Sequence, residues 1–519
     1  MNGPGGKEGS TRPDGAGPAA RPLAFAIAAM GGTWLAGADA PGPRARFAGA
    51  AADSRRVRPG QLFFALPGER VDGFDFCGQA AAAGAGAVVV AAGRGIPPAL
   101  VSATNTPPVA VIGVADPLVA LADLARAVRA EFDGKVVGVT GSNGKTTTKE
   151  LCAAALAAGT REGAASVLRT EGNYNTEIGL PLTILSATGR EAFWVLEMAM
   201  RGRGQIALLA DIARPHVGVI TNVAGAHVEL LGSIEEVARA KGELFAALGQ
   251  SPDGVAVLPG GDALVEEQAA HLPESRKIRF DGGAPGPKDV LILETVPAGV
   301  AGQVVRFAVR GQPVVARLPL AGLHNARNAA AALAVAAALG LPAPAAASAL
   351  SDTRLPPHRS FPREAGGRII LDDCYNANPA SMRAALGSIV TASAAPSPSG
   401  SSHLGSTGGG GARAFAVLGD MLELGPDSIE QHRAVGRDAA QRLAGLAVVG
   451  PLGAEIARGA REAGLPADRI VTTSEPATAA AAVAAWTRPG DWILVKASRG
   501  MRLERAVDAL VENFASGPR

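Results

Sequence analysis

The amino-acid sequence predicts an α/β protein of three domains: a small α/β N-terminal domain, a central domain with a mostly parallel sheet built on a phosphate-binding loop, and a C-terminal doubly wound domain. Three observations carry this reading. The 519 residues exceed what one hydrophobic core usually organises. Short apolar runs of strand length alternate with helical periodicity along most of the chain, as in sheets covered by helices on both faces. One such junction, "KVVGVTGSNGKTTTKE" (Lys135 to Glu150), passes from an apolar strand through a glycine-rich turn into a helix.

The elements follow in order. Residues 1–21, rich in Gly, Pro and Ala, read as a disordered tail. The apolar segment after Arg21 imitates a signal peptide, but Gly31 and Gly32 interrupt it early, and it is expected to be the first helix of the fold. Residues 22–132 form the first domain, with strands around Leu62–Leu66, Ala87–Ala91 and Val109–Val114. The helix "PLVALADLARAVRAEF" closes it, with Pro at its start. Residues 133–350 form the central domain, whose loop gives it a P-loop ATPase-like character. Residues 351–519 alternate most clearly, with "RIILDD", "AFAVLGD", "LAVVG", "RIVTTS" and "DWILVKAS" as strands of a Rossmann-like sheet. Within it, Thr391 to Arg413 is so dense in Ser, Gly and Pro that it reads as a disordered insertion.

Composition narrows the function. Apolar residues make up 47% of the chain and charged residues 18%, which is globular. Lys and Arg total 49 against 47 Asp and Glu, so no whole-chain field attracts nucleic acid or anionic lipid, and any anion must be met locally. Cys77, Cys152 and Cys374 are far apart and lack C-x-x-C spacing, which points to a reducing cytoplasm and to neither a disulfide framework nor a zinc site. No uninterrupted apolar run is long enough to span a membrane.

The loop supplies what a polyphosphate needs. Glycines let backbone N–H groups face the anion, Lys145 is a mobile cation, and Thr146 is a candidate Mg2+ ligand at a helix N-terminus. It departs from G-x-x-x-x-G-K-[ST], because Val139 stands where the first glycine is expected. Glu197 ends the apolar strand in "VLEMAM", where a carboxylate is costly to bury unless it meets a cation. Asn222 and His227 lie just past another strand in "VITNVAGAHVE", and Lys241 follows in "ARAKGELF".

Taken together, "TGSNGKTTT", "LEMAM", "ITNVAGAHVE", "ARAKGE" and "GLHNARNAAAA" resemble, in that order, the Mur ligase family of ATP-dependent amide-forming enzymes of peptidoglycan precursor synthesis. The segments "TEGNYNTEIGLPLT", "DDCYNANPASMRAAL", "LGDMLELG" and "LVKASRGMRLE" extend the likeness, which runs from about residue 22 to 512. The resemblance implies that ATP meets Thr140, Gly141, Ser142, Asn143, Gly144, Lys145, Thr146 and Thr147, with His324, Asn325 and Asn328 from the central domain. Arg359, Asp373, Asn376 and Asn378 would close on the nucleotide from the third domain. Glu197, His227 and Thr146 would serve magnesium, joined by Lys241 if that lysine is carbamylated; Lys145, Lys241, Glu197 and His227 would form the catalytic set. Ser54 and Arg55 match a uridine-nucleotide site, Asn173, Asn175 and Thr176 a loop near the reacting centre, and Lys496, Ser498 and Arg499 a segment facing the incoming amine.

The chemistry so implied phosphorylates the terminal carboxylate of a UDP-MurNAc-tripeptide with ATP and Mg2+, because a free carboxylate does not react with an amine. The amine of D-alanyl-D-alanine then displaces phosphate from the acyl phosphate. A cytoplasmic monomer serving cell-wall synthesis, cell shape and division is expected, with no nucleic-acid partner and no membrane insertion. Two departures stand out: "PGGD" (Pro259 to Asp262) replaces an Asn-x-Asp-Asp segment, and His358 in "PPHR" replaces a glycine. The alternatives are another Mur-type amino-acid ligase and, in a different class, a P-loop phosphotransferase or NTPase.

Overall fold

The structure, a computed structural model, describes residues 17–36, 45–68, 71–101, 109–225, 228–282, 286–287, 289–394 and 412–515. The chain divides into two compact units, Met1–Gly138 with Thr160–Met200 and Gly204–His216, and Val139–Gly159 with Arg201–Arg203 and Val217–Arg519.

In the first unit, strands β1 (Thr33–Ala36), β2 (Ala50–Ala51), β3 (Leu62–Phe64), β4 (Ala87–Ala91) and β5 (Ala110–Val114) form a sheet of order β1-β5-β4-β3-β2. It is parallel except for β1, which runs antiparallel to β5. The predicted first helix spans Leu23–Ala29. Residues read as the end of a tail are placed: Ala19 N–H donates to Ala187 O at 2.8 Å, and Arg21–Pro22 pairs antiparallel with Arg46–Phe47. Asp116 caps the closing helix, Pro117–Ala130, by accepting from Leu118 and Val119 N–H, with Pro117 pre-set for the first turn. Strand β6 (Lys135–Thr140) passes from the first unit to the second between Gly138 and Val139. Strands β7 (Val167–Arg169) and β8 (Phe193–Glu197) pair in parallel in the first unit.

In the second unit, strands β9 (Val217–Ile220), β10 (Val255–Pro259), β11 (Lys277–Phe280) and β12 (Val290–Pro297) pair in parallel, and β13 (Gln303–Val309) and β14 (Gln312–Leu318) continue the sheet antiparallel. Helix α1 (Lys145–Ala157) packs against α3 (Leu323–Ala338), and α2 (Ile234–Gly249) packs on β9. Every residue of α3 from Ala329 to Ala337 is buried, which explains its alanines: a helix enclosed on all sides needs small side chains to approach its neighbours.

The C-terminal sheet of this unit has the order β15 (Phe361–Ala365), β16 (Arg368–Asp372), β20 (Trp492–Lys496), β17 (Ala414–Gly419), β18 (Gly445–Val449), β19 (Ile470–Thr473). Only β15 is antiparallel. Strand alternation divides its core. Ala416, Leu418, Leu446, Val448 and Leu494 pack with α4 (Pro379–Ser393) and the helices Ser428–Ala440 and Gly453–Glu462, whereas Phe415, Val417, Ala447, Ile493 and Val495 pack with Pro476–Trp486 and Glu504–Ala515. That is the doubly wound arrangement the apolar runs predict. The Ser/Gly-rich segment is narrower than read from sequence: Thr391 to Ser393 complete α4, and Arg413 is fixed to Asp491 by an ion pair of 2.6 Å. Residues 395–411 lie outside the described residues. No described helix is long and apolar enough to cross a membrane.

Candidate active site

The phosphate loop is shaped by two glycines that no other residue can replace without displacement. Gly141 has φ +148°, and a Cβ there would lie 1.8 Å from Thr221 Oγ1. Gly144 has φ +79°, and its Cβ would lie 2.5 Å from Asn328 Oδ1. The strand end beside the loop fixes its backbone. Thr221 Oγ1 donates to Asn143 O at 2.6 Å, Asn143 N–H donates to Asn222 Oδ1 at 3.0 Å, and Asn222 Nδ2 returns a bond to Asn143 O at 3.0 Å. Ser142 N–H donates to Asn222 O, and Ser142 Oγ bridges to Ala224. Helix α1 then begins at Lys145 with no acidic residue in its first turn. Its first N–H groups lack intrahelical acceptors and carry the positive end of the helix dipole, an arrangement suited to an anion.

Lys145 Nζ donates to Gly141 O at 2.6 Å and Ser142 O at 3.3 Å. Thr146 and Thr147 are buried, and Thr140 Oγ1 is buried without a hydrogen-bond partner among the described residues. Thr148 Oγ1 donates to Asn328 Oδ1, and Asn328 Nδ2 to Asn325 Oδ1, both at 3.3 Å; Asn325 Nδ2 donates to Ala321 O at 2.8 Å. Asn325 and Asn328 therefore stand at the start of α3 as supports behind the loop. Lys241, on α2, is 1% exposed. Burial and then the Lys145 charge hold its ammonium well below the usual lysine range.

Residues predicted from the third domain gather beside this loop. Asn378 Nδ2 donates to Asn143 Oδ1 at 2.6 Å. The same residue caps α4, accepting from Ser381 N–H at 2.9 Å while Ser381 Oγ accepts from Asn378 N–H. The two roles can be separated. Asn378→Asp is expected to keep the cap and lose the donor to Asn143, so stability holds while nucleotide KM rises; Asn378→Ala should also cost about 1 kcal/mol of stability. Denaturant unfolding beside steady-state kinetics checks both, and equal stability loss in the two variants would contradict the assignment.

Lys496 Nζ donates to Asp373 Oδ2 at 2.6 Å and to Asn376 O at 2.9 Å, and Ser360 N–H donates to Asp373 Oδ1 at 2.9 Å. Residues the resemblance divides between nucleotide and amine are thus one network. Ser498 Oγ accepts from Leu422 N–H and donates to Ala377 O. The Arg359 guanidinium lies 3.8 Å from the Tyr375 ring centroid, and Arg499 lies 6.0 Å from the same ring while pairing with Glu504 at 3.6 Å.

His324 lies beside Ser388, with 3.4 Å between Nδ1 and Oγ. Burial holds its imidazole down to about 4, against a raising effect of Asp373, with Lys496 and Arg327 also lowering it. The folded state therefore binds fewer protons than the unfolded chain between about pH 4 and 6.5, so stability is complete above that window and lost as pH falls through it. The residue is only partly buried, so the expected loss is about 1–2 kcal/mol, below the full value of the shift. The stability difference between wild type and His324→Gln should change by this amount from about pH 7.5 to 4.5; an unchanged difference would contradict it.

In the first unit, Glu197 is buried at the end of β8, its N–H bonded to Thr170 Oγ1 at 2.9 Å and its carboxylate accepting from Asn175 Nδ2 at 2.8 Å. Asn173 and Thr176 are exposed on the same loop. Ser54 Oγ donates to Gln79 Oε1 at 2.7 Å, and Arg55 is exposed and paired with Asp53 at 2.8 Å. Arg56 Nη1 donates to Tyr174 OH at 2.5 Å. His227 lies outside the described residues. Sequence reasoning missed Thr221, Gln79 and Tyr375; for Thr221 the available signal was a hydroxyl directly after an apolar strand.

Three family models match along the chain: the Mur ligase family catalytic domain at residues 46–129, the Mur ligase middle domain at 139–336 and the Mur ligase glutamate ligase domain at 358–499. The UDP-N-acetylmuramoyl-tripeptide--D-alanyl-D-alanine ligase of Mycobacterium tuberculosis is 37% identical over 495 residues, covering 90% of this chain and 92% of the relative. The chain belongs to the Mur ligase family. The Bacillus subtilis ligase of the same name is 36% identical over 469 residues, covering 90% of this chain and 93% of that one. Among solved structures, MurF from Acinetobacter baumannii aligns with TM-score 0.78 at 28% identity over 95% of this chain and 99% of its own. The Thermotoga maritima MurF ligase in complex with ADP aligns with TM-score 0.72 at 29% identity over 90% and 98%. The three-domain α/β architecture expected from the sequence is that of this Mur ligase fold.

Proposed function

We propose that this Mur ligase joins D-alanyl-D-alanine to a UDP-MurNAc-tripeptide at the expense of ATP, through an acyl phosphate, in peptidoglycan precursor synthesis. The observation that carries the reading is likeness over 90% of the chain to ligases of that name, together with a phosphate loop built on Gly141, Gly144 and Lys145. ATP is the energy source, and the enzyme works as a cytoplasmic monomer.

The residues suit their proposed partners. The close approach of Thr221 and Asn328 to Gly141 and Gly144 leaves the loop a bare backbone cradle of the kind a triphosphate occupies. Thr146 and Glu197 offer oxygen donors, which Mg2+ takes in preference to nitrogen or sulfur. His227 and a carbamylated Lys241 complete the proposed magnesium residues. When bound, the metal offsets the charge that builds on phosphoryl oxygens.

The chain's own groups do the rest. The N–H groups at the start of α1 and the Lys145 ammonium hold the phosphate oxygens and favour the charge distribution of the transition state. Asn325 and Asn328 keep the loop in shape, and the Asn378–Asn143 bond holds the start of α4 at its edge, where it excludes water from the activated carboxyl. Arg359, Asn376 and His324 complete the nucleotide side. Lys496, oriented by Asp373, stands with Ser498 and Arg499 on the side of the incoming amine. Ser54 and Arg55 take the uridine nucleotide, and Asn173, Asn175 and Thr176 the peptide end near Glu197.

The test is ADP release with UDP-MurNAc-tripeptide as acceptor, comparing D-alanyl-D-alanine with single amino acids. Turnover with the dipeptide and loss of it with single amino acids is expected. Turnover only with a single amino acid would replace the substrate assignment, and ADP release needing no amine would replace the ligase by an NTPase.

A further inference from the structure

His358 occupies a left-handed backbone position, φ +64°, where the related pattern carries glycine. That conformation costs a non-glycine residue about 1–2 kcal/mol, and the side chain it introduces lands on two other metal-ligating groups. His358 Nδ1 lies 2.8 Å from Asp372 Oδ2 and 3.7 Å from Cys374 Sγ, and Cys374 Sγ lies 2.9 Å from Asp372 Oδ1. All three ligating atoms fall within 4.8 Å of one another. Asp372 and Cys374 are fully buried, while the His358 side chain keeps 23% of its exposure and leaves a route from solvent.

We propose that His358, Asp372 and Cys374 form a binding site for one thiophilic divalent cation of the zinc class, with a fourth position left for water. Tetrahedral zinc with bonds of about 2.3 Å to sulfur and 2.0 Å to nitrogen separates those two ligand atoms by about 3.5 Å, close to the separation here. One nitrogen, one sulfur and one oxygen donor select such a metal over magnesium, which favours oxygen donors.

The Asp372 carboxylate gives the site its negative charge. Burial first, then the hydrogen bond to Asp372 and the charges of Asp372, Glu504 and Asp373, push the Cys374 thiol up, so the sulfur keeps its proton until a metal displaces it; Asp373 and Glu504 are themselves paired, with Lys496 at 2.6 Å and Arg499 at 3.6 Å. Glu504 Oε2 is buried without a hydrogen-bond partner among the described residues. Against this, Arg363 Nη2 stands 3.7 Å from Asp372 Oδ2 and shares its charge with Asp508 at the same distance. On binding, the Cys374 proton leaves to solvent, the sulfur–metal bond forms, and His358 carries its proton on Nε2. The metal would clamp the loop that precedes Arg359 to the strand end that carries Asp373. Binding needs neither nucleotide nor amine, so the site and the ligase reading stand or fall separately.

The experiment is a cobalt titration of the reduced, chelator-stripped full-length protein. One equivalent of Co2+ should bind with thiolate-to-metal charge-transfer absorption, be displaced by Zn2+, and be unaffected by excess Mg2+. Cys374→Ser should abolish that absorption although buried Cys77 and Cys152 remain. His358→Gly, which relieves the backbone strain, should weaken affinity by more than about tenfold, the scale of loss seen even for partners outside the ligand shell. No thiolate band in the wild type, or a band undiminished in Cys374→Ser, would overturn the proposal.

Discussion

Lys145→Ala is expected to lower turnover by about three orders of magnitude while leaving the protein folded. The Lys145 ammonium donates to the loop carbonyls of Gly141 and Ser142. A cation held this way can follow charge as it moves onto the transferring phosphoryl group. Its removal takes a donor from two loop carbonyls, a stability cost of about 1–2 kcal/mol, so the protein should still unfold cooperatively. Lys145→Arg should not restore activity, because a planar fork does not fit a site made for a compact ammonium. Near-normal ADP release by Lys145→Ala would remove the loop from the mechanism.

Lys241 carries the second large effect. It is enclosed on α2, and neither an ion pair nor a side-chain hydrogen bond holds its ammonium among the described residues. Burial and the Lys145 charge drive it toward the neutral amine. A neutral amine adds to carbon dioxide: the nitrogen lone pair forms the N–C bond, a proton leaves, and a carbamate anion remains. The side chain then attracts Lys145 instead of repelling it and offers oxygen donors to a hard cation. Activity of the wild type should therefore fall in carbon-dioxide-depleted buffer and return with bicarbonate. Lys241→Met should lose about two to three orders of magnitude of turnover and show no response to bicarbonate. Full activity without carbon dioxide, or an unmodified amine in a well-ordered density map, would contradict carbamylation.

What was legible in the sequence follows from local physics. Three of the C-terminal strands, Ala414–Gly419, Gly445–Val449 and Trp492–Lys496, are buried along their whole length and appear as unbroken apolar runs, and all five predicted strands are found where expected. The phosphate loop was legible because its backbone geometry admits only glycine at Gly141 and Gly144, which leaves a residue-level mark. The supports were less visible. Thr221 and Tyr375 act through neighbours distant in sequence, as in the Thr221–Asn143 bond or the Arg359–Tyr375 stack, and no periodicity encodes such pairs. The low-complexity segment starts later than its composition suggests, because Thr391 to Ser393 are polar or small yet complete a helix whose hydrophobic face lies earlier, at Met382, Leu386 and Ile389. The "PGGD" departure has a local structural reason: a Cβ on Gly260 would meet Gly282 O at 1.9 Å, and Asp262 caps the helix Ala263–Gln268.

The central claim is that an inert carboxylate is activated by phosphorylation before the amine attacks. It is tested most directly by placing heavy oxygen in the terminal carboxylate of the tripeptide substrate and following the isotope during turnover with D-alanyl-D-alanine in ordinary water. If the carboxylate oxygen attacks the γ-phosphorus, that oxygen leaves with the phosphate, and each inorganic phosphate released carries one heavy atom. Phosphate without label, formed alongside the amide product, would mean that the carboxylate is never phosphorylated and would contradict the account.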